Sequence, residues 1–84
     1  MQVIESSFEN GTVTARLILD KSDIDDFSTP QKAVEYYITF HAKSLGIDSL
    51  LFTRVTAMDE HEDGSLEMRF EAAASPKVVL GQYK

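Results

Sequence analysis

Two acidic clusters carry the residue types that bind metal ions. Asp23, Asp25 and Asp26 have a spacing similar to a calcium loop, but the segment lacks the loop glycine and the bidentate glutamate of such loops. Residues 59–63 place His61 among four carboxylates, yet adjacent residues in one turn cannot all converge on an ion. We interpret the first cluster as solvating a connector near the positive end of the next helix and the second as a solvated hairpin tip. The sequence predicts no metal ion and no cofactor.

His41 is the residue placed most like a catalytic base, because it lies on the apolar stripe of a predicted helix. No known motif ties a serine nucleophile or a carboxylate to it, so a hydrogen-bonded core or boundary histidine is the simpler interpretation. The chain also has no phosphate-binding loop, nucleophile elbow or dinucleotide fingerprint. We therefore predict no catalytic residues and no enzymatic activity in this chain.

Three aromatic residues of the same predicted helix are the strongest candidates for binding. Tyr36, Tyr37 and Phe40 lie on more than one helical face. Such a helix either packs on two sides or exposes an adhesive surface, so core packing and protein binding both fit these residues.

The N-terminal region predicts a β-hairpin. Residues 2–8 and 12–19 read as strands, and Asn10-Gly11 between them is a strong hairpin signal because both residues tolerate positive φ. The second strand alternates, which predicts one buried and one solvated face. Its predicted buried side chains are Val13, Ala15, Leu17 and Leu19.

A helix of about 16 residues is predicted after an acidic connector, residues 20–27, which has room for one helical turn. Ser28 or Thr29 is placed to cap this helix, Pro30 suits its first position, and Gly46 is a left-handed stop. The predicted apolar stripe contains Val34, Tyr37, Ile38, His41 and Leu45.

Two further strands follow, over residues 50–58 and 65–74, with a charged turn between them. The order is therefore ββαββ, and the predicted fold class is α+β: two layers, with one amphipathic helix on one face of a four-stranded, mainly antiparallel sheet. We assign residues 1–75 to this domain and residues 76–84 to the start of a linker. The linker's apolar side chains, Val78, Leu80 and Tyr83, are added to the predicted binding residues.

Composition limits the class of protein. Eighty-four residues suffice for one domain. Fourteen acidic against eight scattered basic residues give a net charge of −6, which disfavours direct nucleic-acid binding. The absence of cysteine excludes disulfides and thiolate sites. No apolar run is long enough to span a membrane, and the first residues do not resemble a signal peptide, so we expect a cytoplasmic location without membrane contact.

The C-terminal third resembles the end of the N-terminal domain of bacterial trigger factor. The resemblance rests on residues 63–71, DGSLEMRFE, leading into residues 75–84, SPKVVLGQYK, where the family has a junction before its prolyl isomerase domain. The opening Met1-Gln2-Val3 and the helix over residues 33–46 are also similar to that family. The resemblance implies an accessory domain of a trigger-factor-like chaperone, with the isomerase domain expected beyond Lys84.

The chain departs from that family where the family docks on the ribosome. It has no room for the first of the family's two helices, and it contains no Gly-Phe-Arg signature. The connector in place of the basic docking loop is acidic, and ribosomal RNA repels acidic residues. Ribosome docking is therefore not transferred to this chain.

Two functions remain open. The first is a non-catalytic domain that assists folding by binding unfolded or nascent polypeptides, or the downstream domain of the same protein. The second is a stand-alone interaction module that homodimerises through a sheet edge or the exposed helix face.

Overall fold

A computed structural model describes residues 1–75 and contains one antiparallel sheet with helices on one face. Its strands lie in the order β1-β2-β4-β3. This architecture confirms the predicted α+β class and the ββαββ order, with α1 as the single turn for which the connector has room. The elements are β1 (Gln2–Glu9), β2 (Thr12–Leu19), α1 (Lys21–Asp25), α2 (Pro30–Ser44), β3 (Leu50–Glu60) and β4 (Leu66–Ala74).

The first hairpin closes as the sequence predicts. Asn10 and Gly11 have φ values of 52° and 76°, the two consecutive positive angles that a type I′ turn requires. This turn matches the right-handed twist of the strands and places Phe8 opposite Val13 in the β1–β2 ladder. The turn residues therefore set the register that directs the apolar face of β2 towards α2.

Local capping explains where α2 begins and ends. The Thr29 hydroxyl accepts a hydrogen bond from the Lys32 backbone N–H at 3.3 Å, and Pro30 occupies the first turn. At the other end Gly46 has a φ of +86°, and the Ile47 N–H donates to the Ala42 carbonyl at 3.1 Å. These features form a Schellman-type stop that turns Ile47 back onto the core, where it is buried.

The core lies between α2 and the two central strands, β2 and β4. All four predicted core residues of β2 are buried, as are Leu66, Met68, Phe70 and Ala72 of β4. The prediction for the helical stripe is wrong at Leu45, which is 37% exposed because the helix ends there and the chain turns away at the following glycine. The helical contribution to the core is Ala33, Val34, Ile38, His41 and Ala42.

Among residues 1–75, strand β3 pairs with β4 alone, so it lies at an edge of the sheet, and most of it is solvent-exposed. Its ladder has irregularities between Leu50 and Phe52 and between Val55 and Ala57. Each bulge moves the following side chains to the other face, which accounts for the poor alternation of this segment in the sequence.

The predicted boundary at residue 76 and the predicted binding residues Val78, Leu80 and Tyr83 lie outside the described residues. Within residues 1–75, no helix is both long and apolar enough to cross a membrane.

Candidate protein-binding surfaces

Four aromatic rings form one cluster beside the middle of α2, which we name the aromatic cluster: Phe27, Tyr36, Tyr37 and Phe40. The ring centroids of Phe27 and Tyr36 are 5.2 Å apart, and those of Tyr36 and Tyr37 are 5.0 Å apart in an edge-to-face arrangement. Tyr36 and Phe40, one helical turn apart, stack at 6.2 Å with an interplanar angle of 25°. Offset and edge-on contacts of this kind are the arrangements that aromatic pairs prefer, and each stabilises the cluster beyond the area it buries.

Hydrogen bonding fixes the inner ring of this cluster. The Tyr37 hydroxyl donates to Asp23 Oδ1 at 3.2 Å, and the Met1 ammonium donates to Asp23 Oδ2 at 2.7 Å. The hydrogen bond from this ammonium is the main cause that lowers the pKa of Asp23, although partial burial opposes it. Burial, followed by the nearby Asp23 carboxylate, raises the pKa of Tyr37. This network joins the N-terminus, α1 and α2.

The three predicted binding residues of α2 therefore differ in position. Tyr37 is partly buried and packs against the core. Tyr36 and Phe40 are 50% and 51% exposed, although both are large and apolar. Two of the three side chains are thus available to a partner, and the third supports them.

His41 is buried and hydrogen-bonded to a residue that no sequence motif connects with it. Its Nε2 lies 2.7 Å from the Ser6 hydroxyl on β1, and its ring packs edge-on to Phe70 at 6.3 Å. Desolvation lowers the pKa of His41, which favours the neutral imidazole. No carboxylate among residues 1–75 bonds to this ring, so the pair lacks the third group that orients a catalytic base. His41 is therefore a buried, hydrogen-bonded histidine, as the simpler interpretation predicts, and its contact joins α2 to β1.

The acidic clusters are engaged in local structure. Asp23 receives the hydrogen bonds described above, and Asp25 pairs with Lys21 at 3.0 Å. In the β3–β4 turn, Asp63 accepts hydrogen bonds from the Ser65 hydroxyl and backbone N–H, and these bonds lower the pKa of Asp63. Within the described part of the chain, no three His, Asp or Glu side chains are grouped so that they could hold a metal ion.

A second apolar surface lies on the opposite flank of α2. A groove of about 460 Å³ separates the helix from β3, and Val34, Ile38, Val55 and Met58 are among its lining residues. Val55 and Met58 are 38% and 49% exposed, because α2 lies over the central strands and leaves the edge strand uncovered. We name this surface the β3 groove. No sequence motif marks it, since it depends on which strand lies at the sheet edge.

A scan against family models and searches of curated proteins and of solved structures found no match to this chain. The resemblance to trigger factor therefore stays a prediction.

Proposed function

We propose that this chain is a non-catalytic protein-binding domain that assists protein folding, as an accessory domain of a trigger-factor-like chaperone would. It binds apolar segments of unfolded or nascent polypeptides through the exposed side of the aromatic cluster. The observation that carries this proposal is the stacked pair of half-exposed rings, Tyr36 and Phe40, on a capped helix.

The physical argument is that exposed, rigid aromatic side chains bind unfolded chains favourably. Aromatic rings offer a large contact area with few rotatable bonds, so little conformational entropy is lost on binding. Tyr36 and Phe40 rest on Tyr37, whose hydroxyl is held by Asp23, so the surface is organised before a partner arrives. The hydroxyl of Tyr36 adds a hydrogen-bonding group to an otherwise apolar patch.

The test is binding of an unfolded protein to wild type and to the double variant Tyr36→Ser, Phe40→Ser. The ligand is reduced, carboxamidomethylated ribonuclease A, and native ribonuclease A controls for its positive charge, which attracts an acidic domain whether folded or not. We expect wild type to bind the unfolded form more tightly than the native form at 0.15 M salt, roughly the physiological ionic strength. The double variant loses this preference.

Phe8→Ser is the matched control, because Phe8 is 46% exposed and lies on β1, outside the aromatic cluster. It should retain binding. Circular dichroism identifies any variant that fails to fold. Unchanged binding by a folded double variant would refute this use of the cluster, and unfolding of the double variant alone would show that the rings belong to the core.

A further inference from the structure

In the part of the chain that the structure describes, β3 has no partner strand on the side away from β4, and this open edge is unusually long and apolar. It spans eleven residues, against eight in the other edge strand, β1. Four large apolar side chains are exposed along it, at values from 38% to 67%: Leu51, Phe52, Val55 and Met58. Natural proteins protect such edges or use them for pairing, since the free backbone N–H and C=O groups are a template for another strand.

The bulge in β3 gives its side chains a symmetric pattern. Val55 and Met58 lie opposite Phe70 and Met68, so both point to the helix face, although three positions separate them. Thr56 is the extra residue between them, and its hydroxyl donates to the Arg69 carbonyl at 3.3 Å.

The residues that flank Val55 and Met58 follow the same pattern. Arg54 and Asp59 lie opposite Glu71 and Glu67 on the outer face. Thr53 and Glu60, opposite the buried Ala72 and Leu66, lie on the helix face again.

The faces of β3 are therefore symmetric about the point between residues 56 and 57: residues at equal distances from it, 55 and 58, 54 and 59, and 53 and 60, lie on the same face. We propose that two copies of the chain pair through β3, antiparallel and about a two-fold axis at that point. Val55 then faces Met58 of the second copy, and Arg54 faces Asp59 of the second copy. Each contact occurs twice because the interface is isologous.

Charge and face together select this register. Two residues directly opposite each other in an antiparallel ladder must point to the same face of the sheet. If the second copy is shifted by one residue, Arg54 on the outer face lies opposite Met58 on the helix face, so that register is excluded. A two-fold axis at Arg54 sets two like charges directly opposite each other, which is destabilising. In the proposed register Arg54, already paired with Glu71, also meets the carboxylate of Asp59. The second copy is therefore the occupant whose charges and apolar side chains match this edge.

Pairing would also extend the apolar layer across the β3 groove. Val55 and Met58 line the groove beside Val34 and Ile38 of α2. Their counterparts from the second copy would lie beside them and shield the open side of this layer from water. The aromatic cluster lies on the other flank of α2, so self-association and client binding are independent, and a dimer carries two client surfaces.

The first experiment uses two charge variants, analysed by sedimentation equilibrium over a concentration series. Arg54→Asp places two carboxylates opposite each other in the dimer, and Asp59→Arg places two guanidinium groups opposite each other. Each variant alone should dimerise roughly tenfold more weakly than wild type, because two attractive pairs become repulsive. A 1:1 mixture of the two variants restores opposite charges at both pairs and should regain the dimer.

A second measurement tests the register independently of affinity. The chain has no cysteine, so Val55→Cys and Met58→Cys each introduce a single thiol. Oxidation of the mixture should give a disulfide-linked heterodimer. Neither variant alone should crosslink efficiently, because identical positions lie three residues, or about 10 Å, apart along the paired strands.

Monomeric wild type across the concentration series, or charge variants that dimerise as wild type does, would overturn the proposal. Equal crosslinking of single variants and mixture would overturn the register. Tyr36→Ser, Phe40→Ser should dimerise like wild type, so loss of client binding and loss of the dimer are separate outcomes.

Discussion

Replacement of Asp23 by Asn tests the network that joins the N-terminus to the aromatic cluster. Asn keeps the shape of the side chain; its Oδ1 can accept from the Met1 ammonium and its Nδ2 can donate to the Tyr37 hydroxyl, but the negative charge is removed. A hydrogen bond to a charged group contributes about 1.5–3 kcal/mol, and a neutral one about 0.5–1.5 kcal/mol. Because the side chains of Met1 and Asp23 are only 11% and 19% exposed, solvent screens the pair weakly. We therefore expect the free energy of unfolding to fall by about 1.5 kcal/mol.

The assay is urea unfolding at pH 7, together with thermal unfolding. A loss of this size lowers Tm by about 6–12 °C in a domain of this length. Asp25→Asn is the matched control on the same helix, since Asp25 pairs with Lys21 at an exposed site and its loss should cost less than about 0.5 kcal/mol. Equal effects of the two substitutions would refute the argument that partial burial makes the Asp23 network stronger.

The pH dependence gives a further check on the same variant. The pKa of Asp23 is lowered in the folded state, so its charge stabilises the fold above the unfolded pKa of about 4. That contribution is lost as the pH falls through the lower folded pKa. The difference in stability between wild type and Asp23→Asn should therefore be constant near neutral pH and shrink in acid.

Two further predictions concern pH and ribosomes. Because burial lowers the pKa of His41, the stability of the fold should fall as the pH drops below about 6.5. Thermal unfolding between pH 7.5 and 5.5 measures this loss of stability. The loss should persist in His61→Asn and be much smaller in His41→Asn. In co-sedimentation with purified ribosomes, with an authentic trigger factor domain as control, the chain should not pellet at low or physiological salt. Salt-sensitive pelleting would show that basic residues such as Lys32 bind ribosomes although the chain contains no Gly-Phe-Arg signature.

Local signals were sufficient to predict the elements and the fold class. Asn10-Gly11 requires positive φ, Thr29-Pro30 starts a helix and Gly46 ends one, and each of these constraints acts within a few residues. The period-two alternation of β2 and β4 then defined which face is buried. The prediction that Leu45 belongs to the buried stripe is wrong because the helical spacing of apolar residues extends one position beyond Ser44, where α2 ends.

The surfaces depended on contacts between residues far apart in the chain. The Met1–Asp23–Tyr37 network and the Ser6–His41 pair join residues 14 to 35 positions apart, which no local motif encodes. The sequence does not predict whether Tyr36 and Phe40 are exposed, because the spacing of apolar residues along a helix does not show how much of its surface the sheet covers.

The elements, their order and the apolar faces can be read from the sequence alone, because backbone dihedrals and side-chain periodicity are local properties. The pairing of β4 with β2, which leaves β3 at the edge of the described sheet and exposes Val55 and Met58 beside α2, is a property of the folded chain as a whole. Strand order depends on which long-range strand pairings best bury one shared core, so it cannot be predicted from the sequence of any single segment.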